Sequence, residues 1–384
     1  MWDKVKGILN PGKGGVVLGF STFVGSIISA IFGVIVAPIL GAEDYGIVSY
    51  FFAIAGLTTA ITSFGAHESL LVYLSKGIKI FSTFSFITII PSFIAAIVIF
   101  LIFNEISISV LIIGMIIFEL VLSKLLAKQL YVQHLKYSLT QKFLFIGLSL
   151  TLYYVMGPQG YILGLGLSMF PGVLQIFKGF KESKIDVSLV KERINFISHH
   201  YVLHLCRISY SYVDRLIIVP LFGFITLGNY ELSIHIIVFA NVFSVFVYQY
   251  LQPKDAKNES TRKLKLMAIA GSIILSLLTI FLAPVVLPIL FPQFEELVDL
   301  VPIMGLSIFP HALTMIYMSK FLGSENARPI MISSLIHLLI LIGGIFILTN
   351  YYSTVGIAIS FVVAEIVETV LLIGMHKKTF KSFV

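Results

Sequence analysis

A chain of 384 residues with 58% hydrophobic and only 12% charged side chains, and a mean hydropathy of +1.01, cannot clothe itself like a soluble domain, which carries about 25% charged residues. It reads as an integral membrane protein. The formal net charge of +7 does not indicate a nucleic-acid partner, because the basic residues are scattered between hydrophobic runs instead of gathered in one patch. One cysteine, Cys206, excludes an internal disulfide framework and a cysteine-rich metal site.

In chain order, Lys4, Lys6 and Lys13 precede an apolar run from Val16 to Leu40. That run is too long for the core of a signal peptide and no small-residue cleavage site ends it, so it is expected to be the first membrane helix. Further spans, each near the ~20 residues that a bilayer core requires, are predicted at 46–75, 80–103, 107–123, 139–156 and 160–178. After the charged segment KGFKESKIDVSLVKER, spans are predicted at 197–220, 226–250, 264–291, 298–322, 328–349 and 353–375. The predicted fold is an all-α integral membrane protein of about 12 transmembrane helices in two pseudo-symmetric six-helix lobes. Residues 1–178 form the first lobe, 179–196 a cytoplasmic linker, and 197–384 the second lobe.

Charge sets the expected orientation. With the N-terminus inside, Lys76, Lys79, Lys124, Lys128, Lys136, Lys142, the 178–193 segment, Lys254 to Lys265, Lys320, Arg328 and Lys377 to Lys381 all fall on the inner side. The outward loops hold Glu43, Asp44, Glu105, Glu295, Glu296 and Asp299, with no Lys or Arg. This one-sided distribution follows the positive-inside rule and places a multi-pass protein in the cytoplasmic membrane, both termini cytoplasmic. Of the 26 basic residues only Arg207 and Arg215 are assigned to spans.

Both lie on the seventh predicted helix. Its residues His200, His204, Arg207, Ser211 and Asp214 are spaced by four, three, four and three, so they form a polar stripe on an otherwise apolar helix. A central Arg or Asp costs roughly 2.5–3.5 kcal/mol even on the cheaper insertion scales, so such residues face a bundle interior or a water-filled cavity. Arg215 follows Asp214 directly, and adjacent residues do not share one helix face. Arg207 has a bland alternative as a neutralising partner of Asp214 or of an acidic residue on another helix.

Elsewhere Glu231, His235 and Gln249 share a face of the eighth helix, and Glu365 and Glu368 lie three apart on the last. Intramembrane carboxylates are functional candidates. Glu365 is either a structural partner of Arg207 or Arg215, or a proton-coupling group. His67 and Glu68 are expected at the inner interface, and His311 and His337 are expected to be packed or hydrogen-bonded. No metal site is expected, since His200 and His204, at i and i+4, have no third ligand on that helix. Pro284, Pro288, Pro302 and Pro310 mark kinks in the ninth and tenth helices, as hinges or as static bends. Gly19, Gly25, Gly33, Gly160, Gly164 and Gly166 mark close helix contacts.

The two halves look like copies. At an offset of 182 residues Pro38, Gly41 and Gly46 match Pro220, Gly223 and Gly228, and GPQGYILG near 157 echoes STVGIAIS near 353. Six helices per half give copies of the same orientation, related by an axis along the membrane normal, with a substrate site expected near the midplane.

The stretches APILGAEDYGIVSY, SYVDRLIIVPLFGFITLGNYELS, LPILFPQFEELVDLVPIMGLSIFPHALTMIYMSKFLGSENARP and YYSTVGIAISFVVAEIVETVLL resemble polysaccharide flippases of the multidrug/oligosaccharidyl-lipid/polysaccharide exporter superfamily. The resemblance spans essentially the whole chain through the order and spacing of Gly, Pro and Tyr landmarks. It implies a transporter, not an enzyme, without a cofactor, that moves a polyprenyl-linked oligosaccharide from the cytoplasmic to the outer leaflet by alternating access. Membrane lipid and glycosyltransferases of the same pathway are the implied partners. Many members carry two further C-terminal helices, and the chain ends after twelve.

An anionic, hydrated headgroup needs cations and donors shielded from lipid tails. Arg207 and Arg215 suit phosphate by their planar fork, with His200, His204 and Ser211 beside them. Asp214 is either their counter-ion or a coupling site, alongside Glu231, Glu365 and Glu368. The nearest rival is a cation-coupled drug or metabolite antiporter of the same superfamily, many of which resemble one another in using an acidic residue in helix 1. Nothing ionisable lies between Val16 and Leu40, which favours the anionic substrate. A membrane glycosyltransferase or polymerase is the more distant rival, and the longest non-membrane segment, about 20 residues, is short for one.

Overall fold

The structure is a computed structural model describing residues 14–256, 261–324 and 326–381; the side chains of 14–28, 30, 203, 207, 210, 249, 250, 252, 253, 256 and 378–381 lie outside that description. The described residues contain no strand. The helices are α1 (Gly14–Ser63), α2 (Ala66–Ser75), α3 (Phe81–Phe103), α4 (Ile106–Ala127), α5 (Tyr131–Met156), α6 (Pro158–Leu167) and α7 (Val173–Glu182). A short α8 (Ser188–Lys191) leads into α9 (Ile194–Ala256), α10 (Arg262–Leu290), α11 (Leu297–Gly305), α12 (Ile308–Gly323), α13 (Arg328–Tyr352) and α14 (Val355–Lys381).

Two of these helices are too long to be single crossings. At 1.5 Å per residue α1 and α9 would be about 75 and 95 Å long, against a hydrocarbon core of about 30 Å. Each is folded at one glycine: Gly41 has φ 76°, ψ 170° and Gly223 has φ 85°, ψ −177°, a region open essentially to glycine alone. Side-chain contacts prove the reversal. Tyr45 Oη donates to the Gly33 carbonyl at 3.2 Å, although 12 residues of straight helix would separate them by about 18 Å. Across Gly223, Arg215 meets Glu231 and Asp214 meets Tyr230. With each folded helix counted as two crossings, α6 with α7 as one, and α11 with α12 as one span bent by 41°, twelve crossings result, six before α8 and six after.

The repeat is visible in the packing. A methyl group at Gly46 would overlap the Phe224 carbonyl, and one at Gly228 would overlap the Ala42 carbonyl, so the arms starting at 42 and 224 cross reciprocally. The last hairpins repeat at an offset of 196. Gly157 and Ser353 turn them with φ 65° and 50°, and Gly160 and Gly356 abut the backbone of Leu152 and Leu348. Burial repeats too: 17% of the apolar window is buried in both α3 and α10, and 56% in both α6–α7 and α14. The remaining apolar surface, such as Leu101, Ile102, Phe281 and Ile289, is what a bilayer solvates.

Packing divides the helices into two units. One contains residues 47–212 and the other 30–46 with 213–381. In the first, α4 is the buried spine: Ile108, Leu111, Ile112, Ile116 and Leu120 are fully enclosed. The span expected at 46–75 is broken there, because Phe64 and Gly65 take φ 48° and 66°, at a place where a methyl group added to Gly65 would come within 3.1 Å of the Tyr201 backbone. In the second, Phe294, Leu297, Leu300, Val301 and Met304 seat α11 in the core. Beyond the apolar part of α9, Asp255 accepts hydrogen bonds from Lys265 (2.6 Å), Ser319 (2.7 Å) and Thr261 (2.9 Å), tying α9, α10 and α12 together. Burial opposes ionisation of Asp255, but these hydrogen bonds and the Lys265 charge outweigh it and hold the carboxyl below its usual range.

Two predictions follow from this architecture. Gly41→Ala and Gly223→Ala should each destabilise the protein by about 1–3 kcal/mol in detergent unfolding. Gly343→Ala, where an added methyl has nothing within 4 Å, should be neutral or stabilising by up to about 1 kcal/mol. Because the folded pKa of Asp255 is depressed, its stabilisation is complete above the unfolded value of about 3.9 and is lost as pH falls through the folded one. Melting temperature should therefore fall less steeply in acid for Asp255→Asn than for the wild type.

Candidate functional site

The Gly223 fold assembles a buried ionic network from one helix. Arg215, eight residues before the turn, donates from Nε to Glu231 Oε2 at 2.7 Å and from Nη2 to Glu231 Oε1 at 3.1 Å, a bidentate pair with a residue eight positions after it. Nη1 reaches Asp214 Oδ1 at 3.1 Å, and Tyr230 Oη donates to Asp214 Oδ2 at 2.8 Å. Arg215 is only 12% exposed, and Asp214, Tyr230 and Glu231 are buried. Adjacent Asp214 and Arg215 meet although they do not share one helix face, because the arginine side chain is long enough to curl back. His235 extends the network, with Nδ1 3.7 Å from Glu231 Oε1 and 3.3 Å from Tyr45 Oη.

The polar stripe is divided between the packing units. His200 lies against the Phe196 ring at 4.2 Å, and His204 is buried with Nδ1 3.8 Å from Glu68 Oε1. These residues and Ser211 belong to the first unit, and Asp214 to the second. The Arg207 side chain lies outside the described residues. The α2 residues His67 and Glu68 are half-buried and bonded: His67 Nδ1 is 2.8 Å from Ser123 Oγ, and Glu68 faces His204.

Glu365 and Glu368 are buried on α14. Among the described residues neither meets an arginine. Glu365 Oε1 lies 2.9 Å from His311 Nδ1 on α12, and Glu368 Oε2 lies 2.8 Å from His337 Nδ1 on α13.

One cation escaped the sequence reading. Lys142, expected on the inner side, is the twelfth residue of α5, about 16 Å from its start. Its Nζ contacts the neutral Ser29 hydroxyl at 2.5 Å, and among the described residues no carboxylate pairs with it. The signal was available, since the span predicted at 139–156 already contains Lys142. By contrast Lys124, at the end of α4, is neutralised by Glu182 at 3.1 Å. A recess of about 310 Å³ against another face of α5 is lined by Leu125, Gln133, Lys136, Tyr137, Thr140 and Gln175.

This arrangement was compared with known proteins. No family model matches the chain, and no curated protein matches it. Solved structures do. A lipid II flippase, MurJ, in an inward closed conformation aligns with a TM-score of 0.71 at 14% identity over 94% of this chain and 87% of its own. An inward-facing multidrug resistance MATE family transporter of the MOP superfamily aligns with a TM-score of 0.69 at 13% identity over 93% and 95%. The fold is that of the MOP-superfamily transporters. A further structure with the MOP fold, a transporter from Pyrococcus furiosus described as having a binding pocket of reversed polarity, aligns with a TM-score of 0.62 at 14% identity over 97% and 96%. These structures are transporters and a flippase, not enzymes, and a multi-pass membrane protein is what the helices of this chain build.

Removing one partner of a buried ion pair costs about 3–5 kcal/mol because the other charge stays behind. Arg215→Ala, which strands Asp214 and Glu231, should lose that much stability in detergent unfolding. The apolar pair Arg215→Met with Glu231→Met should recover part of the loss.

Proposed function

We propose that the protein flips a lipid-linked oligosaccharide, a polysaccharide precursor on a polyprenyl phosphate or pyrophosphate, from the cytoplasmic to the outer leaflet of the cell membrane. The observation that carries this reading is Lys142: a cation within a span, without a carboxylate partner among the described residues. An ammonium in low dielectric recruits an anion, and a phosphate oxygen supplies one. Arg215 is taken up by its carboxylates, so it serves the network and Lys142 takes first place as the headgroup contact, with Arg207 as the remaining cationic candidate. His200, His204 and Ser211 stay on the proposed route as hydrogen-bonding groups. Alternating access of the two halves, cytoplasmic termini and association with glycosyltransferases belong to the same proposal.

A second reading, cation-coupled drug or metabolite antiport, is favoured by the buried carboxylates Glu365 and Glu368 and by the MATE relatives of the fold. One experiment separates the two. In proteoliposomes carrying a lipid-linked oligosaccharide, the wild type should move the headgroup across. Lys142→Ala should slow the movement at least about 10-fold, the loss of a charge-assisted hydrogen bond of roughly 1.5–3 kcal/mol, while exposed Lys79→Ala leaves it unchanged. A wild-type protein that leaves the headgroup in place and exchanges an organic cation for protons or sodium ions contradicts the proposal.

A further inference from the structure

The second unit holds a cluster that the transport reading does not use. His337 on α13 is 1% exposed, and Glu365 and Glu368, one turn apart on α14, are equally enclosed. One nitrogen or oxygen from each of the three comes within 4.8 Å of the others. The outer carboxylate oxygens are already held: Glu365 Oε1 faces His311 Nδ1 at 2.9 Å, and Glu368 Oε1 accepts from Ser334 Oγ at 2.8 Å. The inner oxygens, Glu365 Oε2 and Glu368 Oε2, both turn toward His337 Nδ1, at 4.0 and 2.8 Å. Close packing of α13 on α14 permits this. A methyl group at Gly344, two turns from His337 on the same face, would come within 2.8 Å of Ser360 Oγ.

We infer that His337, Glu365 and Glu368 form a binding site for a divalent transition-metal ion of the zinc class. Three physical arguments converge. Imidazole with carboxylates suits zinc-class ions, whereas calcium and magnesium take oxygen-only sets. Bonds of about 2.1 Å in tetrahedral geometry separate donors by about 3.4 Å, so the 2.8 and 4.0 Å separations need shifts of only about half an ångström in opposite senses. Glu365 and Glu368 are buried carboxylates inside an apolar bundle, and one divalent ion cancels the charge that the neighbouring histidines leave uncompensated. His311 and Ser334 act as positioning residues, fixing the carboxylates as outer partners do in protein metal sites. Three protein donors leave one tetrahedral position to water. The inference stands apart from the flippase proposal, because the site is defined by its donors and is tested by binding.

The test uses the full-length, tag-free protein in detergent, stripped of metal and titrated with Co²⁺ as a spectroscopic probe. One equivalent should bind, with the intense visible absorption of a low-symmetry four-coordinate ion, and Zn²⁺ should displace it. His337→Gln and Glu368→Gln should each weaken binding at least about 100-fold, and Ser334→Ala about 10–100-fold, the usual effect of an outer partner. The near-isosteric Glu365→Gln, confirmed as folded by size-exclusion profile, guards against variants that merely unfold. A wild-type protein that takes up neither Co²⁺ nor Zn²⁺ at one equivalent overturns the inference, as does binding that survives His337→Gln and Glu368→Gln unchanged.

Discussion

Inside a bilayer every backbone amide and carbonyl must find its partner within the protein, and that constraint shapes the whole molecule. A helix can reverse in this setting only if the break spares its hydrogen bonds. Gly41 and Gly223 achieve it with one non-helical residue each, so that α1 and α9 become hairpins. The arms beyond them cross where Gly46 and Gly228 let backbones touch. A side chain at either turn would force a longer loop and separate the residues on which the polar interior depends.

The turn at Gly223 converts sequence distance into electrostatics. Arg215 and Glu231 are 16 residues apart, about 24 Å on a straight helix, yet form a bidentate pair because each lies eight residues from the turn. The arrangement settles what a buried charge can do. An arginine already gripped by Glu231 and Asp214 stabilises the fold of its unit, and an incoming phosphate would have to compete with both carboxylates. Lys142, with a neutral hydroxyl as its contact, faces no such competition among the described residues. Among the described residues cation and carboxylate are thus matched in the α9 network and unmatched on α5, and the proposal of an anionic substrate rests on this imbalance.

Much of this was legible in the sequence, for identifiable reasons. Hydropathy locates the spans because lipid tolerates little else, and the matched Pro38, Gly41 and Gly46 against Pro220, Gly223 and Gly228 disclosed the repeat because a hairpin turn and a backbone crossing both demand glycine. Partnerships were less legible. Periodicity along one helix gathers His200, His204, Arg207, Ser211 and Asp214 into a stripe, but it cannot see that Glu231 returns to Arg215, or that α12, α13 and α14 bring His311, His337, Glu365 and Glu368 together. Lys142 was missed for a different reason: the polar start of α5, YVQHLK, hid the first two turns of the helix and left Lys142 looking like the inner end of its span.

The central claim is that the membrane interior of this protein selects for negative charge. Equilibrium binding of a polyprenyl pyrophosphate without its sugars, in competition with a lipophilic organic cation, tests that directly in detergent. The account predicts saturable binding of the pyrophosphate lipid that weakens with added salt and is unaffected by the cation. Saturable binding of the cation, with no detectable binding of the pyrophosphate lipid, would contradict it.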